Sequence, residues 1–241
     1  MTTRVLTTTL SGGDAWPGTY GEDNAGPDSI VGGSGADTVF GGGAGDTLTG
    51  ASGADQINGN AGEDLVSGGS DGDVLWGGQD ADQVRGEDDS DWVLGDRGAD
   101  TVYGNGGNDL VYGGQDDDLA YGGTGHDAMF GGFGDDTLSG DIGADSLTGG
   151  DGGDAFVFRD SGNLDRILDF EPGEDVIIFE VGQDGTINGI PIANFTELLA
   201  RMEDTGDGVF VHLCNCPVPS QGITIVGRTI AELSPEDFLF V

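Results

Sequence analysis

The sequence predicts an all-β fold: a β-roll, that is a β-solenoid of nine-residue units with parallel strands, closed by a small β-rich C-terminal cap. Three columns predict it. Aspartate recurs every nine residues from Asp28 to Asp154, glycine stands five places before it from Gly32 to Gly149, and an apolar residue stands two places after it. The register holds for fifteen units, residues 23 to 157, without an insertion. A short period kept in three columns at once marks a solenoid. The chain thus divides into an N-terminal segment (1–22, a strand or a cover), the roll (23–157) and a C-terminal capping domain (158–241).

Each unit, for example "GGSGADTVF" at residues 32–40, reads as a six-residue turn followed by a three-residue strand. Glycine permits tight turns with positive φ. One inward aliphatic between two outward residues makes a short strand of period two. The inward column runs Ile30, Val39, Leu48 and onward to Phe156, apolar throughout. Two units make one coil of eighteen residues, with strands on two opposite faces. At the second position of the unit, Asn24, Asn60, Asp96, Asn105 and Asp141 replace glycine, and Asn and Asp best tolerate left-handed geometry. Ala51 and Glu87 fit less well, so local distortion or a weaker site is expected there.

The charge excludes several functions. Against 45 Asp and Glu stand 7 basic residues, all arginine, for a formal charge of -38 on 241 residues. Nucleic acid, whose phosphates need cations, is not a partner. No stretch reaches the ~20 apolar residues of a membrane span, and the N-terminus lacks the apolar core of a signal peptide. Two cysteines, Cys214 and Cys216, make no disulfide framework.

The aspartate column carries the chemistry. Units n and n+2 stack at ~4.8 Å, which places Asp37 over Asp55 and Asp55 over Asp73. The full set is Asp28, Asp37, Asp46, Asp55, Asp64, Asp73, Asp82, Asp91, Asp100, Asp109, Asp118, Asp127, Asp136, Asp145 and Asp154. Bare carboxylates so stacked repel. Calcium, which takes six to eight oxygens in flexible geometry, remedies this, and magnesium and zinc suit the donors less well. Carbonyls of the glycine turns, such as those of Gly32, Gly35, Gly122 and Gly125, complete the oxygen set. Fifteen turns shared two apart allow at most about 13 bridging sites, which would cancel about 26 negative charges. A merely solubilising acidic surface gives no reason for the phase. Asp71, Asp80, Asp89 and Asp116, at the fourth position, either add ligand oxygens or are simply tolerated.

The units "GGSGADTVF" and "GGTGHDAMF" resemble the RTX, or repeats-in-toxin, family, over residues 23 to 157. The resemblance implies a right-handed calcium β-roll. "LDRILDFEPGEDVIIF" is similar to the region that follows the roll in serralysin-type C-terminal domains. By that resemblance Asp165, Asp169 and Asp175 complete a terminal calcium site. The ending "SPEDFLFV" is similar to the family's uncleaved secretion signal, with four apolar residues after Asp237 where about three are usual. This implies type I secretion machinery as a partner and a secreted, extracellular or cell-surface location.

The cap reads as strands ("DVIIFE", "GVFVHL", "GITIVG") with a helix at "NFTELLARM", and eight of the 11 phenylalanines lie at or beyond Phe156. Catalytic patterns are missing. His126 and His212 lie in no H-E-x-x-H, and no G-x-S-x-G, P-loop or Cys-His arrangement occurs. If the chain begins at Met1, it holds no enzyme domain. Cys214 and Cys216 are incidental thiols, an intermolecular disulfide or a metal contact.

Three functions compete: a secreted, calcium-folded structural or interaction protein that builds or decorates a surface layer or filament; a separated secretion and folding module of an exoenzyme; and a surface-binding module for ice or glycans. One strand face favours the first. Its outward residues, Val74, Trp76, Trp92, Leu94, Leu110, Tyr112, Ala128 and Phe130, are all apolar or aromatic. They are expected to be buried by another copy, in a homo-oligomer or filament, or by the chain's own terminal segments. "RVLTTTL" is one such cover.

Overall fold

Two left-handed positions in most units set the path of the chain. The computed structural model describes residues 7–9, 19–20, 26–159, 164–181, 186–187, 190–192, 194–213 and 221–241. Cys214 and Cys216 lie outside these residues. At the second position φ is positive in every described unit, as at Gly42 (109°), Asn60 (76°) and Asp96 (80°). It is positive again at most fourth positions, as at Asp71 (74°) and Asp116 (75°). Ala51 (86°) and Glu87 (83°) adopt the same geometry, and the pairing Gly33–Ala51–Gly69–Glu87 runs through them unbroken. The expected distortion at these two turns is therefore absent. The ladders on either side hold both residues at a local cost of roughly 1–2 kcal/mol each.

The strands are six residues long, as in Thr38–Gly43, Gln56–Ala61 and Trp92–Arg97, not three. The difference lies in the first-position glycine. It needs no positive φ and continues the strand inward, so that residues eight and one of the repeat both face the interior. Only the fourth to sixth residues form the turn.

Alternate strands stack into two parallel sheets. One begins at Thr7–Thr9 and Ser29–Ser34 and ends with Ala155–Phe158, Val176–Phe179 and Phe238–Phe240. The other begins at Thr19–Tyr20 and Thr38–Gly43 and continues through Ser146–Asp151 and Leu164–Ile167 to Gly222–Val226. There the direction changes: Gly208–His212 and Met202–Asp204 add as antiparallel strands. The core is the single aliphatic column between the sheets. Val39, Leu48, Ile57, Val66 and their successors are fully buried. Thr7–Thr9 extends the sheet opposite the aromatic face by pairing with Ser29–Val31, and the rest of "RVLTTTL" lies outside the described residues.

The cap replaces glycine with phenylalanine. Phe179 stacks on Phe238 and Phe240, and Phe156 packs on Phe170. The expected helix is short, Phe195–Leu199, with the Asn194 side chain accepting the Glu197 N–H. The C-terminal "DFLFV" is built into this cap. Asp237 is buried and accepts from the N–H groups of Gly173 (2.9 Å) and Ser234 (2.6 Å). Phe238–Phe240 is the final strand, paired with Ile177–Phe179.

Candidate metal centre

The interior position of the first glycine shapes the site. A Cβ on Gly41 would lie 2.6 Å from Oδ2 of Asp46 and 2.6 Å from the Gly59 carbonyl oxygen. A Cβ on Gly113 would lie 2.6 Å from Oδ2 of Asp118 and 2.8 Å from the Gly131 carbonyl. Glycine is required here by space. It lets the carboxylate of its own unit and the carbonyl of the stacked unit converge on one point.

The aspartates form two columns. In one, the Asp46 N–H donates to Oδ1 of Asp64, Asp64 to Asp82, and Asp82 to Asp100, each at 2.7 Å. In the other, Asp37 donates to Asp55 and Asp55 to Asp73, both at 2.7 Å. The columns run on past the roll. Asp154 donates to Oδ1 of Asp175 and Asp145 to Oδ1 of Asp165. The sequence assigned these two residues only by resemblance, because their spacing is 20 and 21 residues where the roll keeps 18. Asp169 is placed otherwise: its two oxygens accept from Gly149 N–H and Gly150 N–H, both at 2.9 Å.

Each repeat aspartate leaves one oxygen over. From Asp37 to Asp154, Oδ2 of every repeat aspartate is buried with no hydrogen-bond partner. A buried, partnerless carboxylate oxygen is costly. Burial is the main reason that Asp82, Asp91, Asp100, Asp136 and Asp145 are pushed up to about 7 and Asp118 to about 8. The N–H bond opposes that rise, and neighbouring carboxylates reinforce it. The folded column therefore resists holding its negative charge alone.

A hard cation fits these donors. The atoms on offer are carboxylate and carbonyl oxygens, the ligand set of calcium. No three His, Cys, Asp or Glu side chains converge among the described residues, so backbone carbonyls must supply part of any shell. The Gly122 carbonyl faces Oδ2 of Asp109 across the Gly104 position. The Gly35 and Gly125 carbonyls instead meet the stacked Gly53 and Gly143 at the turn edge, and the point beside Gly32 lies between Oδ2 of Asp37 and the Gly50 carbonyl. Two of the fourth-position aspartates bond along the turns: Oδ2 of Asp71 accepts from Gly53 N–H and Oδ2 of Asp89 from Asp71 N–H, both at 3.2 Å. The sequence missed this chain of turn-edge contacts, which includes His126. Its backbone N–H donates to Asn108, and its Nδ1 accepts from Ala144 N–H at 3.0 Å.

The aromatic face exists as a surface. Register places Val74, Trp92, Leu110 and Ala128 in one row and Trp76, Leu94, Tyr112 and Phe130 in the next. Trp92 is 58% exposed and Tyr112 36%, so among the described residues nothing of the chain itself buries them as the sequence reading expected. No helix among those residues is long and apolar enough to cross a membrane.

A comparison with curated proteins finds no match. Among solved structures, the chain is similar to the extracellular lipase LipA from Serratia marcescens, at 17% identity and TM-score 0.35, over 91% of this chain and 41% of that one. It is also similar to the AlgE6R3 subunit of the Azotobacter vinelandii mannuronan C5-epimerase, at 22% identity and TM-score 0.33, over 67% of this chain and 78% of that one. The chain thus spans less than half of the lipase. The family described as RTX calcium-binding nonapeptide repeat (four copies) matches residues 22–48, 40–75, 49–84, 58–93, 85–120 and 121–156. Those matches join into one stretch that covers more than half of the chain and coincides with the two aspartate columns. The chain belongs to the RTX calcium-binding nonapeptide repeat family.

Proposed function

We propose that this is a secreted structural or interaction protein, without catalytic activity of its own, that folds on extracellular calcium and decorates or builds an extracellular surface layer or filament. The observation that carries the reading is the pair of columns of buried, partnerless Oδ2 atoms. Oδ2 of Asp37 through Asp154, with carbonyls such as those of Gly59, Gly122 and Gly131, would hold the ions, and Asp165 and Asp175 would end the columns. Bound calcium supplies positive charge where the fold stacks carboxylates. The chain's own part is to present those oxygens at a fixed spacing. At low cytosolic calcium the uncancelled charge keeps the chain unfolded and threadable by a type I exporter. Outside the cell, millimolar calcium orders it.

The test is circular dichroism with calcium and with excess chelator. A β-spectrum that forms only with calcium supports the reading, and an unchanged β-spectrum in chelator sinks it. Assembly is tested by light scattering in calcium on Trp76→Glu/Trp92→Glu. A folded double variant whose mass equals the parent's in every buffer removes self-association through this face. Export is tested by removing residues 237–241, and normal secretion of the shortened chain removes the signal assignment.

A further inference from the structure

We propose that the outer surface of the sheet carrying Trp76 and Tyr112 binds a linear, uncharged polysaccharide. The inference rests on the reading of a calcium-folded extracellular protein and names the partner that its surface fits. A groove of about 340 Å³ runs along this sheet. Asn58, Asn60, Gln79 and Gln115 line it together with Asp96 and Arg97, over a floor that includes Gly78. Asn60, Gly78 and Asp96 occupy stacked second positions, and Gln79, Arg97 and Gln115 stacked third positions. A hollow of about 180 Å³ lined by Phe40, Asn58 and Trp76 adjoins the groove at Asn58.

Three features select the ligand. First, the surface has two edges that repeat at the strand spacing of ~4.8 Å: an apolar one (Trp76, Leu94, Tyr112, Phe130) and a hydrogen-bonding one (Gln79, Arg97, Gln115). A glycan chain repeats in the same way, each ring offering a C–H face and a hydroxyl edge. Tyr112 and Phe130 stack on each other with centroids 4.5 Å apart and continue the apolar edge in register with Trp76 and Leu94. Second, the hydrogen-bonding groups are mostly planar amides, which both donate and accept and so match hydroxyls. Third, the groove holds one carboxylate and one guanidinium in a chain of formal charge -38. It is locally neutral and surrounded by negative charge, which repels nucleic acid and polyanionic glycans. A second copy fits less well as occupant. Four strands expose a few hundred Å² of apolar surface, so a second copy would have to reach the ~800 Å² per partner of a stable interface through the acidic surface around the patch, where two chains of formal charge -38 repel.

Affinity electrophoresis and calorimetry in calcium test this with a soluble mixed-linkage β-glucan and a linear mannan, with a polyuronate as the charged control. The expected result is binding to a neutral glycan. Gln79→Ala/Gln115→Ala should weaken it tenfold or more, while Thr101→Ala on the opposite sheet leaves it unchanged. Circular dichroism of the same samples separates the two readings. A folded roll that binds neither neutral glycan, that prefers the polyuronate, or that binds equally well with both glutamines removed overturns the groove alone. A chain still unfolded in calcium overturns the calcium reading and the groove with it.

Discussion

Without calcium, acid should fold the roll. In the folded state Asp82, Asp91, Asp100, Asp136 and Asp145 are pushed from an ordinary 3.8 up to about 7, chiefly by burial. A gap of roughly three units at about 1.4 kcal/mol each means that ionising one such carboxyl in the folded chain costs about 4 kcal/mol. The costs are coupled and so do not simply add, yet even two such carboxyls reach the ~5–15 kcal/mol by which domains are stable. A folded-state pKa raised above the unfolded one gives stability that is complete below 3.8 and is lost as pH rises through the folded values, here about 6 to 8. Stacked carboxyls titrate together, so the transition spreads over the whole window. The chain is first stripped of calcium on a chelating resin, because soluble chelators weaken in acid. Far-ultraviolet circular dichroism and tryptophan fluorescence are then followed from pH 8 to pH 5, above the pI of about 4.1. The β-signal should grow as pH falls through 8 to 6, and calcium added at pH 8 should restore the same spectrum. A calcium-free spectrum that is flat, or that loses β-structure toward pH 5, would refute the reasoning.

Three further outcomes are expected. Gly113→Ala forces a Cβ to within 2.6 Å of Oδ2 of Asp118; overpacking should cost about 1–3 kcal/mol in denaturant melts and raise the calcium midpoint, whereas Gly206→Ala, with nothing within 4 Å of the new Cβ, should leave both unchanged. Deleting residues 237–241 removes the last strand and the partner of Gly173 N–H; burying a phenylalanine is worth about 1.5–3 kcal/mol, so the cap should lose stability and bind a hydrophobic dye, and unchanged melting would show that this strand is dispensable. Asp100→Asn deletes one charge of the column yet keeps an oxygen for the Asp82 N–H; it should weaken calcium binding several-fold while the calcium-free chain folds at a higher pH than the parent, as titration of both forms would read.

The periodic part of the molecule was legible because each column has one cause. Burial dictates Val39 and Leu48, and charge in a stack dictates Asp37 and Asp55. Glycine has two causes, and sequence does not separate them. Gly42 serves a left-handed backbone, whereas Gly41 serves the space beside Asp46, so the strand reads as half its length. The cap was legible only as pieces. Nothing in "GVFVHL" or "GITIVG" says that Gly222–Val226 joins the roll first and that Gly208–His212 folds back on it. The groove needs register, because Gln79, Arg97 and Gln115 become neighbours only when units eighteen apart stack.

The hydrogen bonds of the columns reach from one aspartate to the next eighteen residues ahead within the roll. The roll is therefore a ruler that can be recut. Excising eighteen residues between equivalent positions shortens it by one rung, ~4.8 Å, and rejoins each sheet to itself. Excising nine also keeps every aspartate in register, but exchanges the sheets beyond the cut. Made between the aromatic rungs and the cap, that cut would bring Trp76 and Tyr112, now on the other sheet from Phe238–Phe240, onto the same one. Length is thus divisible in steps of eighteen, and handed placement of the working face in steps of nine.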